Sequence, residues 1–116
     1  MRAEKTIAAL LLAVLLLAVL GVVGASSAFA AGDRAAGEAK AIQCQTCHGR
    51  QGMATMPGVP NLAGQNDTYL AAQLRAFRAG ARTNEQMSII AKPLTDQDIE
   101  NLAAYFSQIK VTVVAD

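Results

Sequence analysis

The residues with the clearest chemical potential stand together in one short stretch. Cys44-Gln45-Thr46-Cys47-His48 contains both cysteines and the only histidine of the 116-residue chain. Two thiols with this spacing could form a disulfide, act as a redox pair, contribute to a zinc site or anchor a cofactor. The rest of the sequence has to decide among these four kinds of site.

Three of these interpretations fit the sequence poorly. A structural zinc site needs four ligands, and Cys44, Cys47 and His48 are the only Cys or His residues in the chain. A thioredoxin-like pair follows a strand and begins a helix, whereas this pair comes at the end of an Ala-rich segment predicted to be helical. A disulfide suits an exported protein. However, one that spans two residues removes little chain entropy and gives His48 no function.

The fourth interpretation uses all three residues, because C-x-x-C-H is the attachment signature of c-type haem. Two thiols about one helical turn apart reach the two vinyl groups on one side of a porphyrin and form thioethers. The imidazole that follows then lies beneath the iron. We therefore expect one haem c, with its iron, attached through Cys44 and Cys47, and His48 as the proximal axial ligand.

The second axial ligand has to be another kind of residue, since His48 is the only histidine. Methionine is a common partner of histidine in electron-transfer haem proteins, and it raises the reduction potential. Met53 and Met56 follow His48 so closely that the backbone would have to turn around the porphyrin edge almost at once. Met87 comes 39 residues after His48, beyond a predicted helix, and is the expected distal ligand. Met56 remains the alternative, and any of the three methionines could simply fill the core.

The elements that must position these residues are predicted to be helices joined by one long loop. Asp33 is a candidate N-cap for an Ala-rich helix that reaches Cys47. Residues 48–65 are dense in glycine and proline, which predicts an irregular loop. Further helices are predicted over 66–80, 84–91 and 95–110, the last with capping-box spacing at its start. The fold class is therefore all-α, with about four helices.

Two of these helices show the periodicity of a buried face. Leu70, Leu74 and Phe77 are spaced at i, i+4 and i+7. The apolar stripe of the last helix comprises Ile99, Leu102, Ala103, Phe106 and Ile109. The chain has no tryptophan and few other large side chains. A domain of this size often uses a staple or a cofactor to complete its core.

The N-terminal segment is predicted to direct export. A basic start precedes an uncharged apolar run over 7–23, and Ala28-Phe29-Ala30 has the small-x-small form of a signal peptidase site. We expect residues 1–30 to be a signal peptide, with an uncleaved membrane anchor over 7–23 as the alternative. Residues 31–116 then form the folded domain, and they carry eight basic and eight acidic side chains. A neutral domain of this kind is not a nucleic-acid binder by its bulk electrostatics.

From Gly32 to about Lys110 the sequence resembles a class I cytochrome c of the small bacterial monohaem kind. The residues that carry the resemblance are Gly37, CQTCHG at 44–49, PNLAGQ at 60–65, YLAAQL at 69–74, FRAGAR at 77–82, Met87 and LTDQDIENLAAYF at 94–106. The resemblance implies that the helices wrap around one covalently attached haem. It covers nearly the whole of residues 31–116.

The resemblance also implies roles for single residues. Gly37 would let the first helix cross the last one closely, against Tyr105 or Phe106. Pro60 would accept a hydrogen bond from the axial His48 through its carbonyl and so fix the imidazole. Met87 would be the distal iron ligand.

The function expected from these residues is electron transfer without catalysis. Iron with both axial positions filled has no open site, so it cycles between Fe(III) and Fe(II) with little rearrangement. We expect a periplasmic electron carrier whose partners are redox proteins, with neither nucleic acid nor a small-molecule substrate, and with membrane contact only if 7–23 remains as an anchor. One alternative is a fixed cytochrome c subunit of a larger membrane-associated dehydrogenase or oxidase. Another is an open-site haem enzyme or gas sensor.

Two surface features of the sequence carry weaker expectations. An almost uncharged docking surface is expected around the haem edge, formed by Gln45, Thr46, Gly49, Met53, Ala54 and Met56. Arg75, Arg78 and Arg82 fall at i, i+3 and i+7 on one helix face. Such a stripe is usually solvated, although it could also steer a partner or meet a haem propionate.

Overall fold

The computed structural model describes Met1, Ile7 and residues 31–115. Residues 31–115 form four α-helices and no strand: α1 (Arg34–His48), α2 (Asp67–Ala79), α3 (Glu85–Ala91) and α4 (Asp96–Ser107). The prediction of an all-α fold is therefore confirmed. Apart from Met1 and Ile7, the predicted signal segment lies outside the described residues. Within the described part of the chain, no helix is long and apolar enough to cross a bilayer.

Side-chain caps fix where the helices begin. The Asp33 carboxylate accepts the Ala36 N–H at 2.6 Å, which starts α1 as predicted. At α4 the capping box is complete, because Thr95 Oγ1 accepts the Asp98 N–H at 3.0 Å and Asp98 Oδ2 accepts the Thr95 N–H at 2.9 Å. The remaining two caps are Asn66 for α2 and Asn84 for α3. Polar side chains at these positions satisfy N–H groups that have no partner within the helix.

The long loop is more ordered than its composition predicts. The expectation of no regular structure over 48–65 is wrong at two places, since His48 still belongs to α1 and Arg50–Gly52 forms a 3-10 turn. Gly49, Gln51 and Gly52 all have positive φ, with values of 75°, 56° and 77°. This left-handed backbone turns the chain sharply after α1, and glycine supplies two of its three residues without a steric penalty.

The first and last helices cross in direct contact. A Cβ atom at Gly37 would lie 1.9 Å from the carbonyl oxygen of Asn101 and 2.8 Å from the Cβ of Tyr105. No side chain fits into that space, so the crossing of α1 over α4 requires glycine here. The expected close approach at Gly37 is confirmed, with Tyr105 as the aromatic neighbour.

Helix α4 forms the centre of the core, because both α1 and α2 pack against it. Its side chains Ile99 and Leu102 are almost fully buried. Ion pairs add to this contact: Arg75 binds Glu100, and Arg78 binds Asp96 at 2.5 Å. The interpretation of the arginine stripe as a solvated face is therefore wrong for Arg75 and Arg78, which join α2 to α4.

Candidate haem-binding site

One cavity collects the residues that the sequence marks for chemistry. Its volume is about 560 Å³, and its walls come from α1, the long loop, α2, α3 and α4. This volume lies in the usual range for cofactor pockets. Both thiols, the imidazole and one thioether line it, contributed by Cys44, Cys47, His48 and Met87.

The two cysteines lie near the end of α1, three residues apart and therefore on one face of the helix. They are free thiols. Burial and the neighbouring Cys47 raise the pKa of the Cys44 thiol to about 11, while Lys40 opposes this shift. A redox-active C-x-x-C pair depends on a thiol whose pKa is lowered. The environment of Cys44 thus argues against a thioredoxin-like function.

His48 is buried at the C-terminal end of α1, and its ring is held by the long loop. Its Nδ1 lies 2.8 Å from the carbonyl oxygen of Pro60. A carbonyl oxygen can only accept, so Nδ1 is the donor and Nε2 is left as the ring nitrogen available to a metal. Histidines that bind metals usually donate their second ring N–H in this way, which fixes the ring orientation.

The loop that carries Pro60 is itself tied down by hydrogen bonds. The Leu62 N–H donates to the Gly52 carbonyl at 2.8 Å, and the Ala54 N–H donates to Asn61 Oδ1 at 2.8 Å. Sequence reasoning missed Asn61. The available signal was its type, because asparagine side chains often bond to nearby backbone in loops.

The three methionines differ in their relation to the cavity. Met87 is partly buried and lines it, and the Asn84 cap accepts the Met87 N–H at 3.0 Å. Met56 lines the cavity too, but 49% of its surface is exposed. Met53 is 46% exposed and does not belong to the lining. The assignment of Met87 as distal ligand remains a prediction, and Met56 remains the alternative.

The remaining walls are largely apolar and belong to the core of the protein. Leucines and aromatic residues that the sequence places on the buried helix faces also face the cavity, namely Leu70, Leu74, Phe77, Leu94, Leu102 and Phe106. A large flat apolar group with two thioether links would therefore complete the core. Haem fits this donor set and these walls: Cys44 and Cys47 would hold it covalently, and His48 offers one nitrogen ligand.

Comparison with known proteins gives the family of this domain. The sequence profile described as "Cytochrome c" matches residues 29–110. The chain belongs to the cytochrome c family. Its cofactor is haem c, bound covalently through the C-x-x-C-H motif that contains Cys44 and Cys47.

Cytochromes c of several bacteria are similar to this chain. Cytochrome c4 of Pseudomonas aeruginosa is 45% identical over 86 residues, which are 74% of this chain and 43% of the relative. Cytochrome c-554(548) of Halomonas halodenitrificans is 45% identical over 80 residues, which are 66% of this chain and 96% of the relative. Thus the chain spans about half the length of the cytochrome c4 relatives it matches, and nearly the full length of cytochrome c-554(548).

A solved cytochrome c structure confirms the fold. The crystal structure of reduced recombinant cytochrome c4 from Pseudomonas stutzeri superimposes with a TM-score of 0.67 and 41% sequence identity. The match covers 72% of this chain and 48% of the solved one. The class I cytochrome c fold expected from the sequence is therefore present.

Proposed function

We propose that this cytochrome c domain is a single-electron carrier with one haem c, attached through Cys44 and Cys47 and ligated by His48 and Met87. The observation that carries the proposal is the lining of one cavity by both thiols, the imidazole and the Met87 thioether. When bound, the haem supplies a reversible Fe(III)/Fe(II) couple. With two protein ligands no position remains for a substrate, so the proposed protein is a carrier and not an enzyme.

The chain's own residues have three tasks in this function. The Pro60 carbonyl accepts the Nδ1 proton of His48 and so holds the imidazole in one orientation. The thioether of Met87 favours the reduced state of the iron relative to a second histidine. The apolar walls contributed by α2 and α4 keep water from the cofactor, and a dry site also favours the iron state of lower charge.

The proposed location is the periplasm, to which residues 1–30 would direct the chain as a signal peptide. The proposed partners are redox proteins that donate and accept one electron. Residues 51–60 support a docking role, because they contain no charged side chain and several of them are exposed at the edge of the cavity. A fixed cytochrome c subunit of a larger dehydrogenase or oxidase is the alternative, and co-purification under mild conditions distinguishes the two.

A redox titration followed by absorption, with carbon monoxide added to the reduced protein, tests the proposed function. A carrier with both axial positions filled gives one reversible one-electron transition and no spectral change with carbon monoxide at neutral pH. A rapid spectral change on adding carbon monoxide would show an open or easily opened iron site. That result would favour the sensor or enzyme and refute the carrier.

A further inference from the structure

One cationic side chain lies at the cavity, and neither haem attachment nor iron ligation gives it a function. Of the side chains that line the cavity in the described structure, only Arg82 carries a permanent charge. Arg82 follows α2 in the chain, and its backbone N–H donates to the Ala76 carbonyl at 3.1 Å. Although the residue is exposed, it is not placed at random.

Two further contacts hold the guanidinium of Arg82. Its Nη1 donates to Gln73 Oε1 at 2.7 Å, and its carbon Cζ lies 4.6 Å from the centre of the Phe77 ring. Gln73 and Phe77 line the same cavity. Since the amide oxygen of Gln73 faces Arg82, its amide nitrogen remains as a neighbouring donor. This arrangement places a fixed cation and a neutral donor at one side of the cavity.

The other two arginines of the stripe have different partners. Arg75 and Arg78 bind Glu100 and Asp96 of α4, and neither lines the cavity. By contrast, the side chain of Arg82 has a neutral partner, Gln73, in its hydrogen bond. The positive charge of Arg82 is therefore the one that the cavity can offer to an anionic group.

Haem carries two propionate carboxylates, and a carboxylate in a largely apolar cavity is costly unless a donor or a cation accompanies it. Arginine is well suited to this task because its planar fork binds a carboxylate through two parallel hydrogen bonds. We propose that Arg82, supported by Gln73 and Phe77, binds a haem propionate and sets the pH dependence of the reduction potential. This inference rests on the proposed function only in requiring that haem is bound.

The electrostatic consequence has a definite sign. An ionised propionate stabilises Fe(III) and lowers the reduction potential, and the paired cation offsets that effect. Arg82 also holds the propionate in its ionised form. Without Arg82 the pKa of the propionate rises. The potential then falls as pH increases through a window that lies at higher pH than in the parent protein.

Other titratable groups near the site have to be accounted for in such a measurement. Among the cavity-lining residues described, they are Cys44, Cys47, His48 and Tyr69. The first three are bound to the haem or its iron in the proposed holoprotein, so Tyr69 of α2 is the one left to titrate. On the neighbouring helices the charged groups are Arg75, Arg78, Glu85, Asp96, Asp98 and Glu100. Every variant retains all of these groups, so a difference between variants reports on the substituted cation.

The experiment compares the haem-loaded parent with Arg82→Gln, Arg82→Lys and Lys92→Gln in redox titrations from pH 5 to pH 9. Lys92→Gln removes the same charge from an exposed residue that does not line the cavity. We expect Arg82→Gln to have the lowest potential at pH 7 and its pH-dependent window shifted upward. Lys92→Gln should keep the parent's window, and Arg82→Lys should restore most of the parent's profile.

Two results would overturn the inference. Equal potentials and identical windows for Arg82→Gln and Lys92→Gln would make Arg82 an ordinary surface charge. A profile of Arg82→Lys that matches Arg82→Gln would show that the positive charge is not what matters. In both cases haem attachment and the carrier function stand, whereas a parent protein without covalent haem would refute the proposed function itself.

Discussion

At the residue scale, the contact between His48 and Pro60 links sequence to chemistry most directly. The 2.8 Å distance from Nδ1 to the carbonyl oxygen selects one tautomer of the imidazole. A second contact of this scale supports the fold, since Asp98 closes the capping box of α4 and pairs with Lys40 at 3.1 Å. The hydrogen bond from the Thr95 backbone is the largest of several interactions that lower the pKa of Asp98, and burial opposes them.

The lowered pKa of Asp98 predicts how stability changes with acid. A group whose pKa is depressed by folding stabilises the native state above its unfolded-state pKa, and this contribution is lost as pH falls through the folded-state value. The difference in unfolding free energy between the parent and Asp98→Asn should therefore be constant from pH 6 to pH 8. It should shrink below about pH 4, near the ordinary carboxyl pKa. Urea denaturation followed by circular dichroism measures it.

Glu38→Gln provides the control for this measurement. It removes a carboxylate from an exposed pair with Arg34, where the two charged groups are 4.0 Å apart. An exposed pair of this kind contributes little to stability. If Asp98→Asn and Glu38→Gln gave the same small difference at every pH, the capping box would not be the source of the effect.

Residues could be predicted from sequence where covalent chemistry dictates their spacing. The spacing of Cys44, Cys47 and His48 matches the geometry of haem attachment, so no structure is needed to recognise it. Asn61 and Arg82 could not be assigned in this way. Their contacts depend on which segments the fold brings together, and nothing in the local sequence distinguishes Arg82 from Arg75 or Arg78.

At the scale of elements, the crossing of α1 and α4 depends on Gly37. In an exposed helix, Gly→Ala usually stabilises by about 1 kcal/mol. Here the new methyl group would overlap the Asn101 carbonyl and the Tyr105 side chain. We expect Gly37→Ala to destabilise by several kcal/mol, because the two helices must separate and lose core contacts. Thermal unfolding of the haem-loaded protein measures the loss.

Gly58→Ala is the matched control for Gly37→Ala. Gly58 has a φ of 78°, but a Cβ added there meets no atom within 4 Å. Its substitution should therefore cost only the conformational strain of a left-handed alanine, about 1–2 kcal/mol. A Gly37→Ala protein as stable as Gly58→Ala would contradict the proposed steric role of the crossing.

Helix positions were predictable from caps and periodicity, but one helix end was not. The last helix was expected to reach Lys110 and ends at Ser107. The reason is tertiary, since the Phe106 carbonyl accepts the Gly64 N–H from the long loop at 2.8 Å. A local pattern contains no information about such a partner. The same applies to the turn at Arg50–Gly52, whose geometry depends on a loop folded against α4.

At the scale of the whole molecule, the cavity is part of the hydrophobic core. Leu102 and Phe106 of α4 line it together with Leu70 and Phe77 of α2. Without haem these side chains would surround empty space or water, and both are destabilising. We expect the double variant Cys44→Ser/Cys47→Ser, purified without haem, to lose cooperative thermal unfolding and much of its helix signal in circular dichroism. Cys47→Ser alone, which keeps one attachment point, is the control.

The proposed docking surface is also a property of the whole molecule. Met56 is exposed at the edge of the cavity, whereas Ile42 is 68% exposed on α1 and does not line it. A charge at Met56 has to be desolvated in each transient complex, so Met56→Glu should slow electron exchange with a redox partner severalfold. Ile42→Glu should leave the rate unchanged. Stopped-flow kinetics at constant ionic strength measures both, and equal rates for the two variants would exclude this surface.

The central claim is that His48 and Met87 ligate the iron of one haem, and the absorption spectrum of ligand variants tests it most directly. Ferric iron bound to methionine sulfur shows a weak charge-transfer band in the far red. Met87→Ala should abolish this band and lower the reduction potential, because the thioether that favours Fe(II) is gone. Met56→Ala, which removes the other thioether at the cavity, should keep both. A band that persists in Met87→Ala, or that disappears only in Met56→Ala, would contradict the assignment.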